Sequence, residues 1–579
     1  MSTGVEISYG LFDVTAKSDS TPAITDKQSF VNMGQLKETD LQVEKYGTLE
    51  PNQFVLDGTF QLFPDEPEHT NIGLWSLSMT DSAGTFAVPP VLTVNFAGNH
   101  SSMGLTFFFA VGAGDFCNSL NIKWYDGADT LLLDQDYTPD SDRYFAEGQV
   151  ENYRKVVITF YSTNRPYRYL KLAEIKYGVL KIFTGESILS ANVLEEIDPL
   201  SAELSINTLD FKVHTSDFAI LNPQGAWSLL QRKQQVDVVE IVDGVRRDMG
   251  TYYLEEPESD SDRTTSMSCI DLIGIMDQTS FRGGMYTNVL ASTVIDSIMT
   301  SAGGIEYDLD SSFAVVTVSG YIPICTHREA LQQVAFAIGA IVDCTRGNVV
   351  KLYPTPTASS GSIPYARKMS GHTLKLKALV TGVEVTAHNY TATTETQELL
   401  NEARAVGTYE ITFDSPMHSL AVTGATITES GANYAKITVA TAGTVVLTGK
   451  TYNDAMQLFS TYRAELPAGE KTNVLKIEEA TLVSNSNAQG VADRVYEYYQ
   501  NRYQGEGPIV LDDEEPGQMK VMDSLNSRQV EGIIEALDID LAGGFRANAR
   551  IVGKAVEMPP VPVTTTYFLT EAMTIEVID

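Results

Sequence analysis

The segment TVVLTGKT, residues 444–451, comes nearest to a motif with chemistry in it, since it ends in the Gly-Lys-Thr of a phosphate-binding loop. That loop needs a glycine at its first position so that backbone amides can cradle phosphate, and Thr444 stands there instead, followed by a β-branched run. The segment therefore reads as a strand and turn. HExxH, GxSxG, CxxC and EF-hand patterns are all absent. No catalytic residue, cofactor site or metal-ligand set is named by spacing, and the chain is expected to be no enzyme.

Weaker constellations each have two readings. Asp134, Asp136, Asp140 and Asp142 supply hard oxygen ligands that could hold calcium, or they form a solvated acidic loop, which is the commoner outcome. The runs Glu255–Glu256–Pro257–Glu258 and Asp512–Asp513–Glu514–Glu515 read as solvated turns between strands. Cys117, Cys269, Cys325 and Cys344 sit in apolar stretches and read as buried reduced thiols. The seven histidines fall one per segment, a structural pattern. Trp75, Trp124 and Tyr125 are the candidate sugar-binding residues, because a flat aromatic face complements the C–H side of a pyranose. In LNIKWYDG, however, Trp124 and Tyr125 face opposite sides of one strand, so one is expected to point into a core.

Charge narrows the partners. Forty basic against seventy-five acidic residues leave a net charge of −35, which argues against gripping DNA, RNA or anionic membranes. The excess serves solubility, or it lines a conduit past which DNA slides without sticking. No apolar run reaches the eighteen or so residues a membrane span requires, and MSTGVEISYG has no basic n-region with an apolar stretch behind it. The expectation is synthesis in the bacterial host cytoplasm.

The elements that would position such residues follow from periodicity. At 579 residues the chain is too long for one core. Residues 1–60 form an N-terminal segment leading into a β-sandwich over 61–178, built from LWSLSM, VLTVNFAG, GLTFFFAV, LNIKWYDG, TLLLDQDY, VENYRKVVITFYS and YLKLAEIKYG. A small antiparallel barrel or sandwich covers 179–280. Residues 281–364 are an α/β domain with its linker. In it, Asn288–Ala302 is an amphipathic helix, and Thr326–His327–Arg328–Glu329 is a capping box opening a helix that ends near Gly339. A second β block runs over 365–558, interrupted by a helix at 487–503 and ending in a hairpin turned by Gly543–Gly544, with 559–579 as a tail.

The segment GYIPICTHREALQQVAFAIGAIVDCTRGNVVKLY, residues 320–353, resembles the baseplate hub and tail-tip family of phages and R-type bacteriocins. Residues 193–213 and 478–503 agree with it in order and spacing. The resemblance covers about the last two thirds of the chain and implies two tail-tube-like antiparallel barrels flanking the α/β domain. The first 178 residues are similar instead to galactose-binding-like (discoidin-type) sandwiches, a likeness of fold that licenses no function. What the family likeness implies is a structural, homotrimeric hub of the virion or tail-like particle. It would join the tail tube protein to a spike or tip, beside baseplate wedge or sheath-associated proteins. A tip protein of a non-contractile tail, and an adhesin gripping cell-wall glycan through the sandwich, stay open as alternatives. No cofactor, metal, stable nucleic-acid binding or membrane segment is expected.

Overall fold

A strand that alternates apolar and polar residues can bury one face, and the runs between Leu74 and Gly178 form strands of that kind. A computed structural model describes residues 3–37, 47–48, 50–53, 72–109, 114–214, 233–243, 245–261, 264–523, 528–544, 546–557, 567–569 and 575–577. The fold is mainly β, with a small α/β portion. It divides into two units, one of Ile7–Phe183 with Ser216–Val236, the other of Met1–Glu6, Thr184–Thr215 and Asp237–Asp579.

In the first unit the central pair is Val91–Phe109 against Arg143–Thr163, antiparallel. The runs VLTVNFAG and GLTFFFAV, separate in the sequence pattern, are one strand whose register shifts around His100, Ser102 and Gly104. Cys117–Tyr125 adds to Arg143–Thr163 and carries Leu131–Tyr137 on its other side. Trp124, Tyr153, Phe107, Phe109 and Phe160 fill the core. Ser20–Ile24 pairs with Val91–Phe109, and His100 ties the same segment down by bonding Asp13 at 2.8 Å and Asp19 at 3.0 Å.

The second unit holds a long antiparallel sheet. Its strands are β1 (Ile188–Glu196), β2 (Thr208–His214), β3 (Val245–Ser261), β4 (Thr264–Ile270), β5 (Thr373–Leu376), β6 (Tyr503–Val510), β7 (Arg528–Asp540) and β8 (Arg546–Glu557). Their order in space is β3-β4-β2-β1-β7-β8-β6-β5. The acidic run at 255–258 is thus part of a strand, not a turn, with Glu256 opposite Ser268 and Glu258 opposite Ser266. Where β7 and β8 press closest, Gly532 faces Gly553, and a Cβ on Gly553 would stand 1.9 Å from the Glu531 carbonyl oxygen. Of the two glycines in the turn joining them, Gly544 takes positive φ, at 88°, and Gly543 does not.

Beneath the sheet lies the α/β portion, with helices α1 (Ala291–Ser301) and α2 (His327–Ile338). The helix expected from Asn288 starts at Ala291, because Asn288 has φ 52° and belongs to a strand, Gly284–Leu290, paired with Thr317–Ile322. Val294, Ile295, Ile298 and Met299 are buried, while Leu290 is exposed. Thr326 caps α2: its hydroxyl accepts from the Glu329 amide and the Glu329 carboxylate accepts from the Thr326 amide. The helix at 487–503 is α3 (Ala488–Tyr499), packed on a three-stranded sheet of Gln457–Tyr462, Gly382–Ala387 and Val474–Ile477. Between Tyr390 and Asp454 the chain makes two further three-stranded sheets around a core of Ala435, Ile437, Val439, Val445 and Leu447.

Candidate assembly face

Two β blocks become one sheet where β1 pairs with β7, whose Asn192 and Asp538 stand 346 residues apart in the chain. The residues from Asn192 to Glu196 lie opposite those from Asp540 back to Ala536, and the Asn192 side chain donates to Asp538 at 2.7 Å. The Leu541 amide extends the ladder to the Ala191 carbonyl at 2.9 Å. A run of eight antiparallel strands results, while Gln235–Val242 pairs onto β3 and Met519–Met522 onto β7.

The pleat sorts their side chains. Ala191, Val193, Leu209, Phe211, Met267, Leu537, Ile539, Ala547, Ala549 and Ile509 point to the core and are buried. The opposite face is mostly polar and reaches solvent over much of the sheet, except where Ile533 of β7 and its register partner Val552 of β8 are buried on it. Following the register, it carries Glu256, Glu258, Asp210, Glu196, Asp538, Asp540 and Glu506 against Lys212, Arg546, Arg550 and Lys375. Carboxylates outnumber cations on it, and Arg550 is partly neutralised by Glu196 at 3.3 Å.

On the core side, the junction is clasped by one arginine. Arg346, at φ 51° in the turn between Ala340–Asp343 and Val350–Pro354, places Nε 3.0 Å from Oε1 of the fully buried Glu195 in β1. Its other nitrogens donate to the Glu514 carbonyl at 2.7 Å and to Glu515 at 3.3 Å. Arg367 in turn donates to Glu514, which is fully buried. The 512–515 run is a turn with Asp512 and Asp513 exposed, as expected, but Glu514 is drawn inward, where two arginines take its oxygens. Burial pushes the Glu195 carboxyl up to about 7, although the Arg346 charge pulls the other way.

The residues singled out in the sequence are placed as follows. Trp75 and Trp124 are 3% and 0% exposed, inside the sandwich, with Trp124 4.7 Å from the Tyr153 ring centre. Tyr125 is half-buried, with Lys155 Nζ 4.5 Å over its ring. The three form no common surface. Asp134 and Asp136 both accept from the Asn121 amide, at 2.8 and 2.9 Å, and Lys123 sits 3.1 Å from Asp134. Among the described residues no group of three or more metal-capable side chains converges. TVVLTGKT lies in the strand Gly443–Asp454, with Lys450 opposite Thr396 and His418. All four cysteines are free; Cys117, Cys269 and Cys344 are buried and Cys325 half-buried. No helix among the described residues is long and apolar enough to cross a membrane.

The chain is mainly β, with many antiparallel sheets. No family model matches the chain, and no curated protein matches it. Among solved structures it is similar to the tail protein from Neisseria meningitidis MC58, at 10% identity and TM-score 0.40, over 65% of this chain and 94% of that one. The 43 kDa tail protein of prophage MuSo2 from Shewanella oneidensis matches at 12% identity and TM-score 0.39, over 64% and 96%. The family 32 carbohydrate-binding module of NanJ from C. perfringens, solved with galactose, matches at 11% identity and TM-score 0.19, over 30% and 99%.

Proposed function

We propose that the chain is a structural subunit of a phage-type tail: a baseplate hub, homotrimeric, joining the tail tube to a spike or tip and forming part of the central conduit. The observation that carries this reading is the run of eight antiparallel strands that joins the two β blocks and ends at β5, which pairs with β6 alone among the described strands, with one face largely solvated and net acidic. An open sheet leaves unpaired amides and carbonyls at each edge, and cyclic repetition removes that liability. Three copies give twenty-four strands about 4.8 Å apart, hence a wall about 37 Å across between backbones, and more when the strands tilt. With side chains reaching about 5 Å inward from each side, an opening of about 27 Å remains. Acidic walls suit such a passage, because phosphates find few cations on which to release counterions.

The function is structural, with no catalytic step assigned to any residue, and the partners are the tail tube protein, the spike or tip, and the surrounding baseplate. Electron microscopy of purified particles labelled against this chain tests it. Label is expected at the tube's end, three copies per particle. Label along the shaft, or a strictly monomeric chain within the particle, overturns it.

A further inference from the structure

Within the second unit, a cleft of about 630 Å³ runs beside the strand Val474–Ile477. That strand pairs parallel with Gly382–Ala387 on one side and, among the described strands, with none on the other. Consecutive residues from Leu475 to Ala480 line the cleft, so it follows the outer edge of the strand. Gln332, Gln333 and Phe336 of α2 form the facing wall. In a parallel pair each strand turns the N–H and C=O of every second residue toward its partner, so the others of Val474–Ile477 point outward, to the cleft side.

The floor is apolar. Phe336, Val483 and Val495 are buried in it, and Leu475, Ile477 and Tyr499 are half-buried. Where the strand ends, Glu478 and Glu479 are exposed on the rim, and no described residue gives either carboxylate a hydrogen bond or an ion pair. Lys476, the cation of the lining, already stands 3.6 Å from Glu384. A small apolar ligand would cover the floor and leave the outward amides and carbonyls of the strand without partners. An extended peptide satisfies both, since its backbone pairs with the edge while alternate side chains go to one face.

We propose that this cleft takes an extended segment of a second, different protein. The segment adds as a strand outside Val474–Ile477, lays two apolar side chains two residues apart on the floor, and sets a lysine or arginine beside Glu478 and Glu479. Charge selects this occupant over the chain itself. Residues 559–579 contain Glu571, Glu576 and Asp579 and no lysine or arginine, and a second copy would bring a net charge of −35 to an acidic rim. The walls of the cleft all belong to one copy, so the inference goes beyond the ring and stands without it.

The test uses the full-length chain and three short labelled peptides. The first alternates threonine with valine and ends in two lysines; the second has serine for valine; the third has two glutamates for the lysines. In fluorescence anisotropy the first is expected to bind about ten-fold tighter than either of the others. It should also slow amide exchange over 474–480. Glu478→Lys with Glu479→Lys should invert the preference, so that the glutamate-ended peptide binds better than the lysine-ended one, a gain that a misfolded chain could not give. Equal binding of the three peptides, a preference unchanged in the variant, or no binding of the first at about 1 mM overturns the proposal. Self-association of the chain that the first peptide disperses would give the cleft to a second copy, and overturns it as well.

Discussion

Arg346 and Glu195 meet across the line where the two β blocks become one sheet, with Nε 3.0 Å from Oε1 and a second guanidinium nitrogen 3.3 Å from Oε2. Glu195 has no exposure to water, so the arginine is what its charge has in place of solvent. The same guanidinium holds the Glu514 carbonyl, which joins the stretch before β7 to the turn after Ala340–Asp343. Loss of one partner strands the other.

Arg346→Met is expected to destabilise the second unit by about 3–5 kcal/mol, because it leaves a buried carboxylate unpaired. Glu195→Leu added to Arg346→Met should recover much of that loss, since an apolar pair of similar volume needs no partner. Chemical denaturation of the single and double variants decides it. Equal losses in both would mean that Arg346 acts through Glu514 and Glu515 alone.

Little of this clasp is legible in the sequence. Thr326 and Glu329 stand three residues apart and announce a helix start by local chemistry, so that part of the fold reads directly. Glu195 and Arg346 are 151 residues apart, and nothing in either neighbourhood marks one as the other's partner. Glu514 misled for the same reason: it looks like surface until Arg367 is folded over it. Strand periodicity revealed two β blocks but not that β1 and β7 fuse them, because register between distant strands leaves no local trace. Trp124 carried its burial in the alternation of its own strand; Trp75 had no such neighbour to argue from.

Thr326→Ala removes the acceptor for the Glu329 amide and should cost about 1 kcal/mol, read as a lower midpoint in denaturant. Thr326→Ser keeps the oxygen and should cost less. If the two variants were equally destabilised, the loss would come from the threonine methyl rather than the cap.

Gly553→Ala should block the close approach of β7 and β8, since the added carbon would meet the Glu531 carbonyl oxygen at 1.9 Å. Gly544→Ala, where nothing stands within 4 Å but φ is 88°, should be milder, about 1 kcal/mol. Soluble yield and melting temperature of the two variants rank them. The reverse order would place the strain in the turn, not the sheet.

His100 makes the first unit sensitive to pH. Burial alone would lower its pKa, but hydrogen bonds and charge from Asp19 and Asp13 outweigh burial and hold it above 6.5. A folded value above the unfolded one means that the stabilisation is complete below about 6.5 and fades as pH rises through the folded pKa. The sandwich should therefore melt at a lower temperature at pH 9 than at pH 6, and His100→Asn should flatten that part of the profile. An unchanged slope in the variant would assign the dependence to other groups.

The last prediction concerns the solvated face, and it rests on the ring. Asp538 and Asp540 are exposed on that face, beside Asn548 and Arg546 of β8. In a closed trimer every substitution is repeated three times around one circumference, so Asp538→Lys with Asp540→Lys removes six negative charges from the wall and adds six positive ones. The unaltered assembly is expected to hold no DNA at physiological salt, because each phosphate that approaches meets more carboxylates than cations. The altered assembly should bind duplex DNA, with log K falling against log salt at a slope of about −0.9 for each phosphate neutralised. Gel shift across a salt series measures both. Threaded DNA distinguishes a lumen from an outer surface: a linear duplex with bulky groups coupled to both ends after binding should be trapped on a lumen-bearing ring in high salt, whereas a duplex held on the outside should dissociate. Release of the end-blocked duplex at high salt would place Asp538 and Asp540 on the outer surface and remove the acidic conduit from the proposed function.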